Sequence, residues 1–310
     1  MTEVRPASAD QAEFAGELFE REILIESGVP GLYGRGAVFE QIRTGFDALV
    51  TKAAAPEAPE TLRFPPLLPR YQLESSGYLH SFPQLAGTVF GFEGNEEEAA
   101  AQDTCASAHE DWSEYQTMSE LALVPAACYP VYPAVARRGA VPSGGFFVDA
   151  GGAWVFRHEP SEDPARMQTF HQRELVRIGS PDEVLTWRDT WRERGLGLLR
   201  GLGLAADVDR AADPFFGRGG RMLAANQRKQ ELKYELLVQI AGPEPTAVTS
   251  FNYHQEHFAA KYGLVLEDGS TAHTACLGFG QERITLALLR THGFEPSSWP
   301  EEVRRQLWPT

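Results

Sequence analysis

The sequence predicts an α+β fold in which an antiparallel sheet is flanked by helices, and three observations carry that reading. Trp154 to Gly179 holds two apolar-polar runs joined by a Pro-, Asp- and Ser-rich loop, the pattern of an antiparallel strand pair. Glu231 to Gly242 alternates polar and apolar residues, as a strand inside a sheet does. Helical spacing appears before and after these runs, near the N-terminus and beyond Ser180.

Taken in order, Ser8 and Gln11 form a possible capping box, and Phe14, Leu18 and Ile25 fall near one helical face. This predicts a first helix closed by Gly28 and Pro30. A second amphipathic helix is expected from about Val38 to Ala53, with Phe39, Ile42, Phe46 and Leu49 on its apolar stripe. The Pro- and Ala-rich stretch Ala54 to Pro69 reads as a linker entering a strand, and Phe64 to Arg70 as a Pro-bounded edge strand. Asn95 followed by Glu96, Glu97 and Glu98 predicts a helix start, because carboxylates favour the positive dipole end. Ser180-Pro181-Asp182-Glu183 predicts another, continuing through Trp187, Trp191 and Leu198. Gly201 to Arg228 is Gly-rich with exposed-looking Phe215, Phe216, Arg218, Arg221 and Arg228, which fits a docking surface or a flexible loop. Its GRGG run also fits a phosphate-binding nest. The expected organisation is an N-terminal helical segment, 1–60, packed on one larger domain, 61–310, with an insertion at about 200–228.

A chain of 310 residues can bury a large core. No apolar run approaches the roughly 20 residues that span a bilayer. The acidic N-terminal pattern is not that of a targeting peptide, so a cytoplasmic protein is expected. A net charge of -15 argues against a broad footprint on nucleic acid, which needs clustered Lys and Arg. The three cysteines, Cys105, Cys128 and Cys276, form no C-x-x-C pair, and on spacing alone each reads as a small buried apolar residue.

Two motifs carry a resemblance. FRHE, a variable loop and then F-x-x-x-E, within Trp154 to Gly179, resembles motif 2 of the class II aminoacyl-tRNA synthetases. GFGQERITLALL, Gly278 to Leu289, resembles their motif 3 on a strand-to-helix junction, with Ile284, Ala287 and Leu288 as its buried face and Gly293 as its stop. Phe64 to Arg70 with Gly77 to Leu85 resembles motif 1. The order and separation are those of the seryl branch, and closer still those of its shortened relatives, the amino acid:[carrier protein] ligases. The resemblance covers about Phe64 to Gly293. No sustained heptad pattern stands where a true seryl enzyme carries its tRNA-binding coiled coil.

The resemblance implies a class II antiparallel sheet flanked by helices, a homodimer built on motif 1, and an ATP-dependent ligase. It implies that Arg157 holds the α-phosphate and Arg283 the γ-phosphate, tasks suited to an always-charged planar fork. Glu159 would accept from the adenine amino group and Phe170 would stack on the ring. Cys128, Glu174 and Cys276 match the ligands of one zinc ion per subunit, whose open position takes the substrate amine. His158, His171, His254, His257 and His273 are nearby alternatives as ligands, while Cys105 has no match. Lys233, Glu235 and Asn252 would line the amino-acid pocket. Mg2+ should accompany ATP, yet Thr246 stands where an acid is expected, with Glu244 two residues away. The implied reaction activates glycine or alanine to an aminoacyl-adenylate and passes it to the phosphopantetheine thiol of a carrier protein. Phe215, Arg218, Arg221 and Arg228 are the expected docking residues, because carrier proteins are acidic. A tRNA-charging seryl-type enzyme and a non-catalytic regulator built on the same core are the alternatives.

Overall fold

The protein is described here as a computed structural model covering residues 4–309, so Met1, Thr2, Glu3 and Thr310 of the two expected segments lie outside the described residues. The strands in chain order are β1 (Leu24–Glu26), β2 (Tyr33–Arg35), β3 (Glu60–Thr61), β4 (Leu67–Pro69), β5 (Thr88–Gly91), β6 (Thr117–Leu123), β7 (Phe146–Asp149), β8 (Ala153–Phe156), β9 (Thr169–Gly179), β10 (Asp207–Arg210), β11 (Lys233–Val238), β12 (Thr246–Gln255) and β13 (His273–Gly280). The helices are α1 (Ala9–Glu20), α2 (Ala37–Ala54), α3 (Arg70–Ser75), α4 (Tyr78–Ser81), α5 (Glu96–Ser107), α6 (Val131–Ala136), α7 (Pro181–Gly201), α8 (Gly217–Lys229), α9 (His257–Tyr262), α10 (Gln281–His292) and α11 (Glu301–Leu307). None of them is long and apolar enough to cross a membrane.

An eight-stranded sheet in the order β10-β11-β12-β13-β9-β7-β3 organises the chain, with β8 also paired to β9. Its pairs are antiparallel apart from β3 with β7. Strand alternation sorts the side chains by face. Leu175, Leu236, Phe251, Leu277 and Phe279 point to one side, where they form one core with α1, α2, α7, α10 and α11. The opposite face is covered at one end by Val131, Tyr132, Phe258 and Ala259 of α6 and α9. At the other end, the small sheet β4-β6-β5 packs with Tyr78 and Leu85. Between these two smaller cores the sheet is left open.

The helix starts follow their sequence signals. Reciprocal capping boxes open α1 at Ser8, α5 at Asn95 and α7 at Ser180. The apolar stripe of α2, Phe39, Ile42, Phe46 and Leu49, is buried throughout. The first helix is shorter than its periodicity suggests. It stops at Glu20, Glu22 adopts φ 51°, and Ile25 lies exposed on β1 rather than on a helical face. The reason is pairing: Leu24 to Glu26 hydrogen-bond with Tyr33 to Arg35, closing a hairpin over Gly28 and Pro30. Phe64 to Arg70 holds β4, an edge strand of the small sheet. Arg157 and Glu159 fall just beyond β8 rather than in the middle of a strand.

The stretch Gly201 to Arg228, read as either a docking surface or a flexible loop, is mostly ordered structure. Asp207 to Arg210 add an edge strand to the sheet, and Gly217 to Lys229 form a helix. Gly217 to Gly220 are therefore the first turn of α8 rather than an anion nest. A Cβ on Gly220 would lie 2.5 Å from the Phe215 carbonyl oxygen, so this close turn needs glycine.

One buried ion network pins the sheet to α2. Arg173 of β9 is almost fully buried, and its Nη1 donates to Asp47 Oδ2 at 3.0 Å. Its Nη2 donates to Asp149 Oδ2 at 2.6 Å and to Thr51 Oγ1 at 3.0 Å. Removing Arg173 takes the nearest cation from the buried Asp149 carboxylate. We predict that Arg173→Met lowers folding stability by about 3–5 kcal/mol, measured by urea unfolding.

Candidate active site

The open part of the sheet forms the floor of a cleft of about 770 Å³. Register decides what lines it. Asn252 pairs with Lys233 on one side and Cys276 on the other, while Gly278 pairs with Ser250 and with Glu174. Period-two alternation then brings Lys233, Glu235, Asn252, Cys276, Glu174 and Phe170 to the same face. Gly278 makes room among them, since a Cβ there would lie 3.1 Å from Glu174 Oε1.

One end of the cleft is cationic. The Arg157 Nε donates to the Pro125 carbonyl at 3.3 Å, and its guanidinium lies 5.5 Å from the Phe170 ring centre. Arg283, at the first turn of α10, donates from Nε to the Ala165 carbonyl at 2.8 Å and from Nη1 to the Ala247 carbonyl at 2.9 Å. Burial first, then the neighbouring charges of Arg166 and Arg157, push Arg283 down to about 10. Both arginines are aligned by backbone carbonyls, which fix their direction without cancelling their charge. A helix N-terminus adds to the same field. This is an arrangement for an anion with several oxygens. Glu159 also lines the cleft, where it pairs with Arg166 at 3.2 Å. Arg166 has no signal in the sequence beyond its charge.

The middle of the cleft holds a compact charge cluster. Lys233 Nζ lies 2.6 Å from Asp213 Oδ1 and 2.9 Å from Glu235 Oε1. Gln227 of α8 holds Asp213 on both sides, accepting from its backbone N–H at 2.7 Å and donating to Oδ2 at 2.8 Å. Burial alone would raise the Asp213 carboxyl, but Lys233 and Gln227 together hold it below its ordinary value. Neither Asp213 nor Gln227 is singled out by sequence reasoning. The available signal is an acid followed directly by Pro214, Phe215 and Phe216.

The other end gathers soft donors. Cys128, Glu174 and Cys276 are all buried, and their ligand atoms lie within 4.8 Å of one another. Burial pushes the Glu174 carboxyl up to about 7. The Cys128 thiol is raised by neighbouring Cys276 and by burial. Glu174 Oε2 is buried without a hydrogen-bond partner among the described residues. Two thiols and a carboxyl with an unsatisfied oxygen, from three separate segments, fit a zinc ion with three protein ligands. Cys105 lies apart, on α5.

Of the five histidines weighed as ligands, His254 touches this cluster. Its Nε2 is 3.6 Å from Cys276 Sγ and its Nδ1 is 3.1 Å from Thr274 Oγ1. Burial pushes it down to about 3, so the ring is neutral. His171 instead bonds Glu282, and His273 bonds Tyr253. Asn252 Nδ2 reaches the same sulfur at 3.5 Å.

A further network, absent from the sequence reading, ties motif 2 to motif 3. Glu282 Oε1 accepts from the His171 backbone N–H at 2.7 Å and meets His171 Nδ1 at 2.9 Å and Arg35 Nη2 at 2.9 Å. The Arg35 guanidinium also lies 4.2 Å from the Trp154 ring centre. Since Glu282 precedes Arg283, this clamp fixes the start of α10.

Two expectations change. Glu244 is exposed in the turn between β11 and β12 and does not line the cleft, whereas Glu159, Asp213 and Glu235 do. Phe215 is half-buried and stacked on Phe82 at 5.1 Å, because the chain folds back against Ser81 there. Exposed apolar surface on this segment comes instead from Phe216 and Met222, beside exposed Arg218, Arg221 and Arg228.

A mixed fold with a mainly antiparallel sheet, crossed by one strand–loop–strand arm and one strand–helix arm that each present an arginine, defines a class II aminoacyl-tRNA synthetase core. A solved structure of Methanopyrus kandleri SerRS, in complex with Aquifex aeolicus tRNASec, matches 99% of this chain and 61% of its own with a TM-score of 0.79 at 22% identity. Amino acid–[acyl-carrier-protein] ligase 1 of Bradyrhizobium diazoefficiens is 46% identical over 278 residues, which is 89% of this chain and 85% of that protein. Ligase 2 of the same organism is 46% identical over 283 residues, 91% of this chain and 84% of its own. No family model matches the sequence. The chain belongs to the amino acid–[acyl-carrier-protein] ligase family.

Proposed function

We propose that this enzyme activates glycine or alanine with ATP and transfers the aminoacyl group to the phosphopantetheine thiol of a carrier protein. The observation that carries the reading is a single cleft with two unlike ends. Arg157 and Arg283, which form no ion pair among the described residues, face one end, and Cys128, Glu174 and Cys276 face the other. A molecule with an amine at one end and a carboxylate at the other spans such a cleft.

In the first step an oxygen of the amino-acid carboxylate attacks the α-phosphorus of ATP, and pyrophosphate leaves. Arg157 orients the α-phosphate and takes up the charge that grows on it, while Arg283 holds the γ-phosphate. Phe170 offers a face to the adenine ring. Glu159 accepts from the adenine amino group once it exchanges partners with Arg166. Cys128, Glu174 and Cys276 would hold a zinc ion, which would supply a Lewis-acid position for the substrate amine and so select a free amino acid. Asn252, Lys233 and Glu235 border that amino acid. Mg2+ accompanies the ATP, as is general among class II synthetases. In the second step the carrier thiol attacks the carbonyl carbon and AMP leaves.

The carrier docks on α8 through Arg218, Arg221, Arg228 and Phe216, with Phe215 supporting the turn from within. An acidic partner suits this local basic patch in a chain of net charge -15. The subunit acts as a homodimer through the motif 1 region, with residues 4–60 packed on the catalytic domain.

Amino-acid-dependent ATP–pyrophosphate exchange is the deciding assay. Glycine or alanine should support exchange, and Arg157→Ala or Arg283→Ala should each slow it on the order of 10²–10³-fold. Exchange with serine alone would move the reading to a tRNA-type enzyme. Metal analysis should find one zinc per chain, lost in Cys128→Ser and in Cys276→Ser. Zinc at about 1,000 times its dissociation constant should stabilise the fold by roughly 4 kcal/mol in thermal unfolding. The pair Arg218→Glu with Arg221→Glu should abolish transfer to a holo carrier protein while exchange continues, and unchanged transfer would remove α8 from the docking surface.

A further inference from the structure

His254 is held more firmly than any ordinary cleft residue needs to be. Its Nδ1 meets Thr274 Oγ1 at 3.1 Å and its Nε2 meets Cys276 Sγ at 3.6 Å. Behind it, Phe258 and Tyr132 are stacked with centroids 4.3 Å apart and planes 9° apart. The histidine packs edge-on against both, at 4.9 Å and 6.1 Å. Tyr132 and Phe258 are themselves buried, so the ring has no room to swing back. The backbone is shaped for this. The pairing of β12 with β13 slips by one residue between Tyr253 and Gln255, and Gln255 adopts φ 54°. A bulge of this kind re-aims a side chain, and a non-glycine residue in the left-handed region is strained.

We propose that the His254 ring is the wall that sets the size of the amino-acid side chain this cleft accepts, restricting it to a hydrogen or a methyl group. The inference rests on the amino-acid activation proposed above. An amine beside Cys276 and a carboxylate turned toward Arg157 leave the α-carbon next to the two groups that touch the Cys276 sulfur. Besides the proposed metal ligands Cys128 and Glu174, these are the Asn252 amide and this immobile ring. Any longer side chain directed at that wall meets an aromatic box that cannot yield.

The test compares wild type, His254→Ala and Phe258→Leu in exchange assays with glycine, alanine, serine and valine. Metal content and the visible spectrum of cobalt-substituted protein are followed as each amino acid is added. In His254→Ala the ratio of serine or valine to glycine in kcat/KM should rise by about 10–200-fold. The cobalt spectrum should then respond to valine, which leaves the wild-type spectrum unmoved, at unchanged metal content. Phe258→Leu, which loosens the backing and keeps the ring, should move the ratio in the same direction by less. Retained selectivity in both folded variants overturns the wall. Loss of metal from His254→Ala also overturns it, because the ring would then be a ligand. A wild-type protein whose spectrum and exchange respond to no amino acid overturns the activation reading beneath it.

Discussion

Everything at the site depends on antiparallel register among four strands. β11, β12, β13 and β9 send successive side chains to opposite faces, and their pairing keeps the two sets in step. A slip of one residue in β13 alone would turn Cys276 into the helical core and expose Leu277 or Phe279 to the cleft. The apolar face therefore enforces the chemistry on the other face. Leu236, Phe251, Leu277 and Phe279 are fully buried against the helices, and each residue worth about 1.5–3 kcal/mol in that core also holds the register of a cleft residue beside it.

The electrostatics follow the same division. On the core side, buried charge is cancelled locally, as in Arg173 with Asp47 and Asp149, or Arg35 with Glu282. On the cleft side, charge is only partly cancelled, since Lys233 and Arg166 have acidic partners while Arg157 and Arg283 form no ion pair among the described residues. Arginines collect at one end, thiols and Glu174 at the other, and Lys233 lies between two acids. Separated buried charge is costly in an isolated protein, and the cost is recovered when ligands of the opposite sign arrive. Fixing these groups in advance means little reorganisation accompanies the reaction.

Much of this was legible in the chain because it is local. The strand–loop–strand at Trp154 to Gly179, the strand–helix at Gly278 to Leu289 and the capping boxes at Ser8, Asn95 and Ser180 are written in consecutive residues. The Cys128–Glu174–Cys276 grouping came from resemblance, since spacing alone left each cysteine a plain buried thiol. What escaped is long-range or depends on a backbone irregularity. Arg35 meets Glu282 across the width of the fold, and Gln227 meets Asp213 only after α8 has formed. Helical periodicity extended the first helix to Ile25 because it cannot see that Leu24 to Glu26 find a strand partner. The bulge beside His254 has no sequence signature, so its ring ranked no higher than four other histidines.

The charge cluster also explains why α8 is more than an appended surface helix. Gln227 grips Asp213 twice, Asp213 grips Lys233, and Lys233 stands opposite Asn252, which touches the Cys276 sulfur. The links are hydrogen bonds, an ion pair and one strand pairing between buried or half-buried groups, so a shift of the helix disturbs the cleft floor. At the other end of the same segment, Phe215 stacks on Phe82 and Gln84 donates to the Pro214 carbonyl at 3.0 Å. The segment is thus fastened at both ends while Phe216, Arg218, Arg221 and Met222 remain exposed between them. A surface held this way can receive a partner without itself becoming ordered.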